Sequence, residues 1–276
     1  MKVLIFLILI FSPTLLSAQT DSTQTYRVYS TENIHNYLLL NTKTGSVQQI
    51  QNDGSSWSVN SSIDFLNAKE GRYRLYKTQN TWNFILLDTY TGQCWQTQFS
   101  IKENNRGKLS INSFPLAYPS DDSDWTDRFQ LFETKNIWIF ILLDTYTGKT
   151  WQVQFSVDSA DELHCTPLNT VSLSEESNSR RYSLHQTNNI WNFILVDSFT
   201  GKLWQVQFSL ESSSERQCIP INEIELASGR EKSCFSIVPM SSMYQFYLVD
   251  NDTGEMWKFQ WSTKGNSYRW IEKFEY

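Results

Sequence analysis

Between Trp82 and Ser100 the chain forms two short apolar runs around a polar centre. Trp82, Phe84 and Leu86 alternate with Asn83, Ile85 and Leu87, a period of two that predicts a β-strand. Both faces of this run are largely apolar, so the strand is expected inside a sheet covered on both sides. Asp88-Thr-Tyr-Thr-Gly92 follows as the turn. There Asp88 can accept bonds from the turn amides and Gly92 can take positive φ. Cys94 to Ser100 is the returning strand. A four-residue loop sets Leu86 opposite Trp95, Phe84 opposite Thr97 and Trp82 opposite Phe99 on one face. Ile85, Leu87, Gln96 and Gln98 take the other. The segment reads as a β-hairpin with one aromatic face.

The hairpin recurs nearly unchanged from Trp138 to Trp151 and from Trp191 to Trp204, more loosely from Tyr244 to Trp257, and in degenerate form from His35 to Gln48. The turn glycines Gly45, Gly92, Gly148, Gly201 and Gly254 are spaced by 47, 56, 53 and 53 residues, a period that points to a propeller or a related array. Each copy has an earlier strand: Tyr26-Arg-Val-Tyr29, Arg72-Tyr-Arg-Leu-Tyr-Lys77, Arg128-Phe-Gln-Leu-Phe132, Arg181-Tyr-Ser-Leu184 and Phe235-Ser-Ile-Val238. A fourth strand is expected near Trp57, Lys108 to Ile111, His164 to Leu168, Gln217 to Ile221 and Tyr268 to Ile271. Pro167 and Pro220 suit its placement at a sheet edge. Tight turns at Asn52-Asp53-Gly54 and Lys264-Gly265-Asn266 make strands three and four a second hairpin. Longer links, such as Ala117 to Asp127 and Ser172 to Arg180, join one copy to the next.

Four antiparallel strands per unit, short turns within it and longer links between units are the plan of a propeller blade. The repeats resemble the blades of a five-bladed β-propeller, and the resemblance covers nearly the whole chain after residue 18. The nearest named motif is the Asp-box turn of sialidase propellers, an aspartate, a glycine and a following tryptophan on a hairpin. Here three residues separate Asp88 from Gly92, where the Asp-box has one. The Asp-box is structural, and no catalytic residue carries over. The expected fold is all-β, one propeller domain over 19–276, with repeats near 25–71, 72–127, 128–180, 181–233 and 234–276. Each blade is expected to be contiguous in sequence, and the first and fifth to close the ring by side-chain packing. The first copy carries His35, Asn41 and Gln48 where the second carries Trp82, Asp88 and Trp95, as terminal repeats often differ from internal ones.

Lys2, the apolar run from Val3 to Phe11 and Ser17-Ala18-Gln19 read as a secretory signal peptide over 1–18, cut after Ala18. The run is too short to span a membrane stably, and no later run is apolar enough. A soluble exported protein, secreted or periplasmic, is expected. The net charge of −6 argues against nucleic acid or an acidic membrane as partner. The 11 tryptophans fall mostly at repeat positions and are explained first as core. An exported chain permits disulfides between Cys94, Cys165, Cys218 and Cys234, but the spacing assigns no pairing and matches no zinc pattern.

His35, His164 and His185 lie in different repeats without ligand spacing, and no nucleophile elbow or Cys–His pair is present. Asp121-Asp-Ser-Asp-Trp-Thr-Asp127 is the densest acidic stretch. It lacks the glycine and glutamate of a calcium loop and reads as a solvated link. No catalytic residue, metal site or cofactor is expected. Two repeated features remain as candidate binding elements. Tyr90, Tyr146 and Phe199 occupy the hairpin tips, where the turn does not require an aromatic and where Lys43 and Asp252 stand in the other copies. On one rim they offer rings for a sugar or a protein anchor. Gln96, Gln152 and Gln205, with Gln98, Gln154 and Gln207, point away from the tryptophans. They either bond backbone of the next blade or line a polar pocket. The expected function is a secreted, non-enzymatic binding or scaffold propeller recognising a glycan or protein through the tips. The alternatives are an exported glycan-active enzyme on the same fold and a structural component of the cell envelope.

Overall fold

The computed structural model describes residues 24–118, 127–174, 180–230 and 232–275. The expected signal peptide and the acidic stretch up to residue 126 lie outside the described residues. The described chain is all-β, a propeller-type array of five four-stranded antiparallel sheets. Blade 1 comprises β1 Tyr26–Ser30, β2 Asn36–Asn41, β3 Val47–Gln51 and β4 Ser56–Asn60. Blade 2 comprises β5 Tyr73–Lys77, β6 Asn83–Asp88, β7 Cys94–Gln98 and β8 Gly107–Ser110. Blade 3 comprises β9 Phe129–Glu133, β10 Ile139–Asp144, β11 Thr150–Gln154 and β12 His164–Pro167. Blade 4 comprises β13 Tyr182–Gln186, β14 Asn192–Asp197, β15 Leu203–Gln207 and β16 Gln217–Pro220. Blade 5 comprises β17 Phe235–Pro239, β18 Gln245–Asp250, β19 Met256–Gln260 and β20 Trp270–Lys273.

Strands follow one another in sequence order within every sheet, so each blade is contiguous. The register is the one the turn chemistry dictates, with Leu86 opposite Trp95 and Phe84 opposite Thr97. Pro167 and Pro220 lie on the edge strands β12 and β16, where a missing N–H costs no ladder bond.

Each blade has two unlike faces, and the packing between blades follows from them. The face toward the following blade is aliphatic, as in Ile85 and Leu87 of blade 2. The face toward the preceding blade is aromatic, as in Phe129, Phe140, Trp151 and Phe155 of blade 3. These eight-strand contacts form one buried cluster. Equivalent clusters join blades 1 and 2, 3 and 4, and 4 and 5. Burial on both faces explains why β6, β10 and β14 are buried at every position. At 25 cal/mol per Å² of apolar surface, burying each such side chain is worth roughly 1.5–3 kcal/mol.

No corresponding cluster joins blades 5 and 1 among the described residues. Tyr26 and Val28 on the near face of blade 1 are 59% and 61% exposed, whereas their equivalents Tyr73 and Leu75 in blade 2 are 0% and 5% exposed. The turn glycines report the same asymmetry. A Cβ on Gly45, Gly92, Gly148 or Gly201 would press at 2.7–3.0 Å on the first-strand aromatic of the following blade, Tyr73, Phe129, Tyr182 or Phe235. A Cβ on Gly254 of blade 5 would meet nothing within 4 Å. The expected closure by packing of the first blade on the fifth is therefore corrected: the two ends of the array do not cover each other.

Candidate functional site

The hairpin tips are framework. In blades 2 to 5 the Oδ1 of Asp88, Asp144, Asp197 and Asp250 accepts from the backbone N–H two residues on, each at 3.0 Å. The other oxygen of each carboxylate pairs with the arginine at or before the first strand, Arg72, Arg128, Arg181 and Arg230, at 2.6–2.7 Å. The hydrogen bond from Arg230 holds the Asp250 carboxyl well below the usual carboxylate range. Tyr90, Tyr146 and Phe199 then lie over the guanidinium groups of Arg72, Arg128 and Arg181, with 5.7, 5.2 and 5.6 Å from ring centre to carbon. The rings are only 5%, 5% and 8% exposed. The exposed aromatic rim expected at Tyr90, Tyr146 and Phe199 is therefore corrected. A flat ring over the guanidinium excludes water from the ion pair and gains cation–π attraction. The arginine that opens each internal repeat was the signal for this arrangement. In blade 1 the aspartate is replaced by Asn41, which keeps the turn bonds, accepting from Lys43 N at 2.9 Å and from Thr44 N at 3.3 Å.

The glutamines also serve packing first. Gln96 and Gln205 donate from Nε2 to Asn83 and Asn192 Oδ1 at 2.9 and 2.7 Å. Gln152 and Gln205 accept through Oε1 from the backbone N–H of Ser209 and Ser262 of the following blade, each at 3.3 Å. Gln49 accepts from Ser100 N in the same way at 3.1 Å. Gln96, Gln152 and Gln205 are buried; Gln152 and Gln205 tie blade to blade, whereas Gln96 bonds within its own blade. Of the three, Gln96 also reaches a groove, described next.

What the molecule presents lies at the rim opposite the tips. There the sequence Thr-x-Asn-x-Trp recurs as Thr78 to Trp82, Thr134 to Trp138 and Thr187 to Trp191. The Thr78 hydroxyl donates to Asn83 O at 2.8 Å, and Asn80 Oδ1 accepts from Trp82 N at 2.9 Å. The same bonds recur at Thr134 and Asn136, and at Thr187 and Asn189. These locally closed turns set each tryptophan at a fixed angle on the rim. Trp82, Trp138 and Trp191 each lean on a buried phenylalanine, Phe99, Phe155 or Phe208, with 5.3 Å between ring centres. Each remains half-buried. Beside Trp82 a groove of about 320 Å³ is lined by Asn80, Gln98, Ile101, Lys102 and Asn105. An adjoining one of about 370 Å³ runs past Gln96, Gln98, Arg106 and Lys108. A third, of about 250 Å³, lies against Trp191 with Gln207, Glu211 and Glu215. By their alternation alone these tryptophans read as core. The recurring Thr and Asn ahead of them was the available signal that they close a rim turn.

The remaining candidates do not assemble into a reactive centre. Glu215 accepts from Ser209 Oγ at 2.9 Å, and Glu162 repeats this with Ser156 at 2.6 Å in blade 3, so this carboxylate belongs to the framework. Cys234, Asp250 and Asp252 offer ligand atoms within 4.8 Å of one another. Arg230 and Lys232 already neutralise the two carboxylates, which leaves little attraction for a cation. The four cysteines are free, and burial pushes the Cys165 and Cys218 thiols up to about 12, away from reactivity. Asp127, the described end of the acidic stretch, pairs with Arg74 and Arg180. No helix among the described residues is long and apolar enough to cross a membrane.

The sheet number, order and register place the chain among the β-propeller-type repeat proteins. No protein family matches the sequence, and no curated protein matches it. Among solved structures it is similar to a putative 6-phosphogluconolactonase from Bacteroides fragilis, at 12% identity over 90% of this chain and 68% of that one, with a TM-score of 0.45. It is similar to a periplasmic gluconolactonase from Pseudomonas aeruginosa at 9% identity over 90% and 68%, with a TM-score of 0.46. An auxiliary nutrient binding protein from Bacteroides thetaiotaomicron shows 11% identity over 91% and 57%, with a TM-score of 0.39.

Proposed function

We propose that the chain is an exported, non-enzymatic binding protein that takes a glycan along the rim of Trp82, Trp138 and Trp191. One observation carries this reading: a half-buried indole recurs at equivalent positions of blades 2, 3 and 4, and in blades 2 and 4 a shallow groove with side-chain amides lies beside it. A sugar ring offers C–H groups to an aromatic face and hydroxyls to Asn, Gln and Lys, which is the pairing these grooves present. Repetition suits a ligand with repeated units, because several weak contacts add through effective concentration. The Asp and Arg pairs that recur with the repeat are committed to the tips, and the grooves beside Trp82 offer amides and cations.

The alternative of a glycan-active enzyme draws on the Glu211 and Glu215 carboxylates beside Trp191. A glycan array followed by calorimetry on the hits distinguishes the two. Trp82→Ala and Trp191→Ala are expected to weaken binding about tenfold each, or about 1.4 kcal/mol, with an unchanged circular dichroism spectrum. Retention of full affinity by both variants would sink the rim reading. Release of reducing ends from a bound glycan, lost in Glu211→Gln, would replace it with the enzymatic one.

A further inference from the structure

Each internal junction joins the far face of one blade to the near face of the next, and among the described residues one face of each kind is left uncovered, on blade 5 and on blade 1. On blade 5 the far face carries Val238, Tyr247, Val249, Met256 and Phe274. All are half-buried or exposed, whereas the equivalent far-face residues of blade 2, Ile85, Leu87, Cys94 and Ile111, are buried. On blade 1 the near face carries Tyr26, Val28, Tyr37 and Leu39. These keep the aromatic and aliphatic pattern of Tyr73, Leu75, Phe84 and Leu86 at the same register positions. Both ends thus retain the apolar complement that holds the four internal junctions.

The backbone at the two ends is also the backbone of a junction. Tyr73, Phe129, Tyr182 and Phe235 each donate their amide to a carbonyl of the preceding blade, at Thr42, Thr89, Thr145 and Ser198, at 2.9–3.0 Å. Asn251 is the fifth such carbonyl and Tyr26 the fifth such amide. The open space over Gly254 is the space that Tyr73 fills over Gly45.

At the glutamine and serine positions that meet across a junction, the two ends carry complementary charges where the internal junctions carry neutral side chains. At three internal junctions a glutamine, Gln49, Gln152 or Gln205, accepts from a serine amide of the next blade, Ser100, Ser209 or Ser262. In blade 5 the glutamine position is Lys258. In blade 1 the serine position is Asp53, and the equivalence is fixed by the bond before it: Asn52 N donates to His35 O as Phe99 N donates to Trp82 O. Lys258 is half-buried beside Glu272 across the strand, and Asp53 is exposed.

We propose that the far face of blade 5 docks onto the near face of blade 1 of a second copy, continuing the blade stack head to tail with Lys258 against Asp53. A second copy is the occupant because a near face of this pattern is the surface that every covered far face in the molecule meets. Opposite charges replace the Gln–Ser contact at these two ends and at neither side of an internal junction, so a free end selects another end. The interface is heterologous, and it yields a closed ring or an open chain according to the rotation per copy. The inference is independent of the rim reading, since neither face includes Trp82, Trp138 or Trp191.

Sedimentation velocity on the exported protein across a concentration series tests it. The expected result is association in whole multiples of the single-copy mass. Val28→Arg blocks the head and Tyr247→Arg blocks the tail. Each variant alone is expected to stay a single copy with an unchanged circular dichroism spectrum, because both side chains are solvent-accessible. An equimolar mixture of the two is expected to give a two-copy species and nothing larger. Lys258→Glu is expected to weaken association about tenfold, and Asp53→Lys added to it to restore association. A wild type that remains a single copy at every concentration overturns the proposal, as does assembly by Val28→Arg alone.

Discussion

The middle blades and the terminal blades are built from one repeat, yet they differ in what the repeat must do. In blades 2, 3 and 4 every second-strand residue is buried, because a neighbour covers each face. In blade 1 the first strand has no buried residue, and in blade 5 the second strand alternates between buried and half-buried. The substitutions follow this difference. Blade 1 has lost Trp82, Trp95 and Phe99 equivalents to His35, Gln48 and Asn52, all on its uncovered near face, while its covered far face keeps Leu38, Leu40 and Val47. Blade 5 does the reverse: its covered near face keeps Phe246, Trp257, Phe259 and Trp261, and Lys258 enters on the uncovered side. The hydrophobic requirement belongs to each face separately and is set by its neighbour.

The comparison breaks most visibly at the first-strand aromatic. Tyr182→Ala in blade 4 removes a ring buried against blade 3 and packed 6.1 Å from Trp204. It is expected to cost about 3–5 kcal/mol, as large core truncations do. Tyr26→Ala, at the same position of blade 1, is expected to stay within about ±0.5 kcal/mol. Urea denaturation under conditions where the protein is a single copy checks both. A large loss in Tyr26→Ala would mean that the first blade is covered after all.

The tip is the second place to press. Asp197→Asn retains the acceptor that caps the turn but removes the buried negative charge facing half-buried Arg181, which sits 2.6 Å away. A loss of about 3 kcal/mol is expected, the lower end of the range for breaking a buried pair. In blade 1 the natural residue is already Asn41, with no arginine partner at the equivalent carboxylate. Asn41→Ala is expected to cost only the turn bonds, about 1 kcal/mol. If the two losses are equal, the ion pair adds nothing to the cap. Tyr146→Ala is expected to cost more than the roughly ±0.5 kcal/mol of a surface change, because its ring covers the Arg128 guanidinium.

The turn glycines separate strain from packing. Gly148 and Gly254 have φ of 71° and 77°, so alanine imposes the same left-handed strain at both, about 1–2 kcal/mol. Only at Gly148 does the added Cβ also meet Leu173 and Tyr182 at 2.9 Å, which adds an overpacking cost of about 1–3 kcal/mol. Gly148→Ala is expected to be the more destabilising by that difference, read from paired denaturation curves.

Period-two patterning and the turn residues carried the architecture: strand pairing, register and contiguous blades all follow from Trp82 to Ser100 and its copies. Three things were not legible. The alternation shows that a face is apolar but not which neighbour covers it, so the exposed ends appeared only with the packing. The aromatics at Tyr90, Tyr146 and Phe199 read as exposed because their partner, the arginine, is 18 residues away in sequence. The rim tryptophans looked like core because an indole half-buried on a phenylalanine has the same alternation as one fully buried.

The smallest expected effect concerns His185, on the covered far side of blade 4's first strand. Blade 3 has Phe132 at this position and blade 5 has the exposed Val238. Burial lowers the His185 imidazole below its ordinary value, and its Nε2 lies 2.9 Å from Ser183 Oγ. In the unfolded chain the ring titrates near 6.5. As pH falls through 6.5 the unfolded state takes up a proton that the folded state still refuses, so stability falls, and it stops falling below the depressed folded value. His185→Phe borrows the blade 3 residue and removes this linkage. Between pH 7.5 and pH 5 the wild type is therefore expected to lose more melting temperature than the variant, with both measured at one ionic strength. Parallel losses would show that the histidine is as solvated in the folded protein as in the unfolded one, and that blade 5 does not cover it.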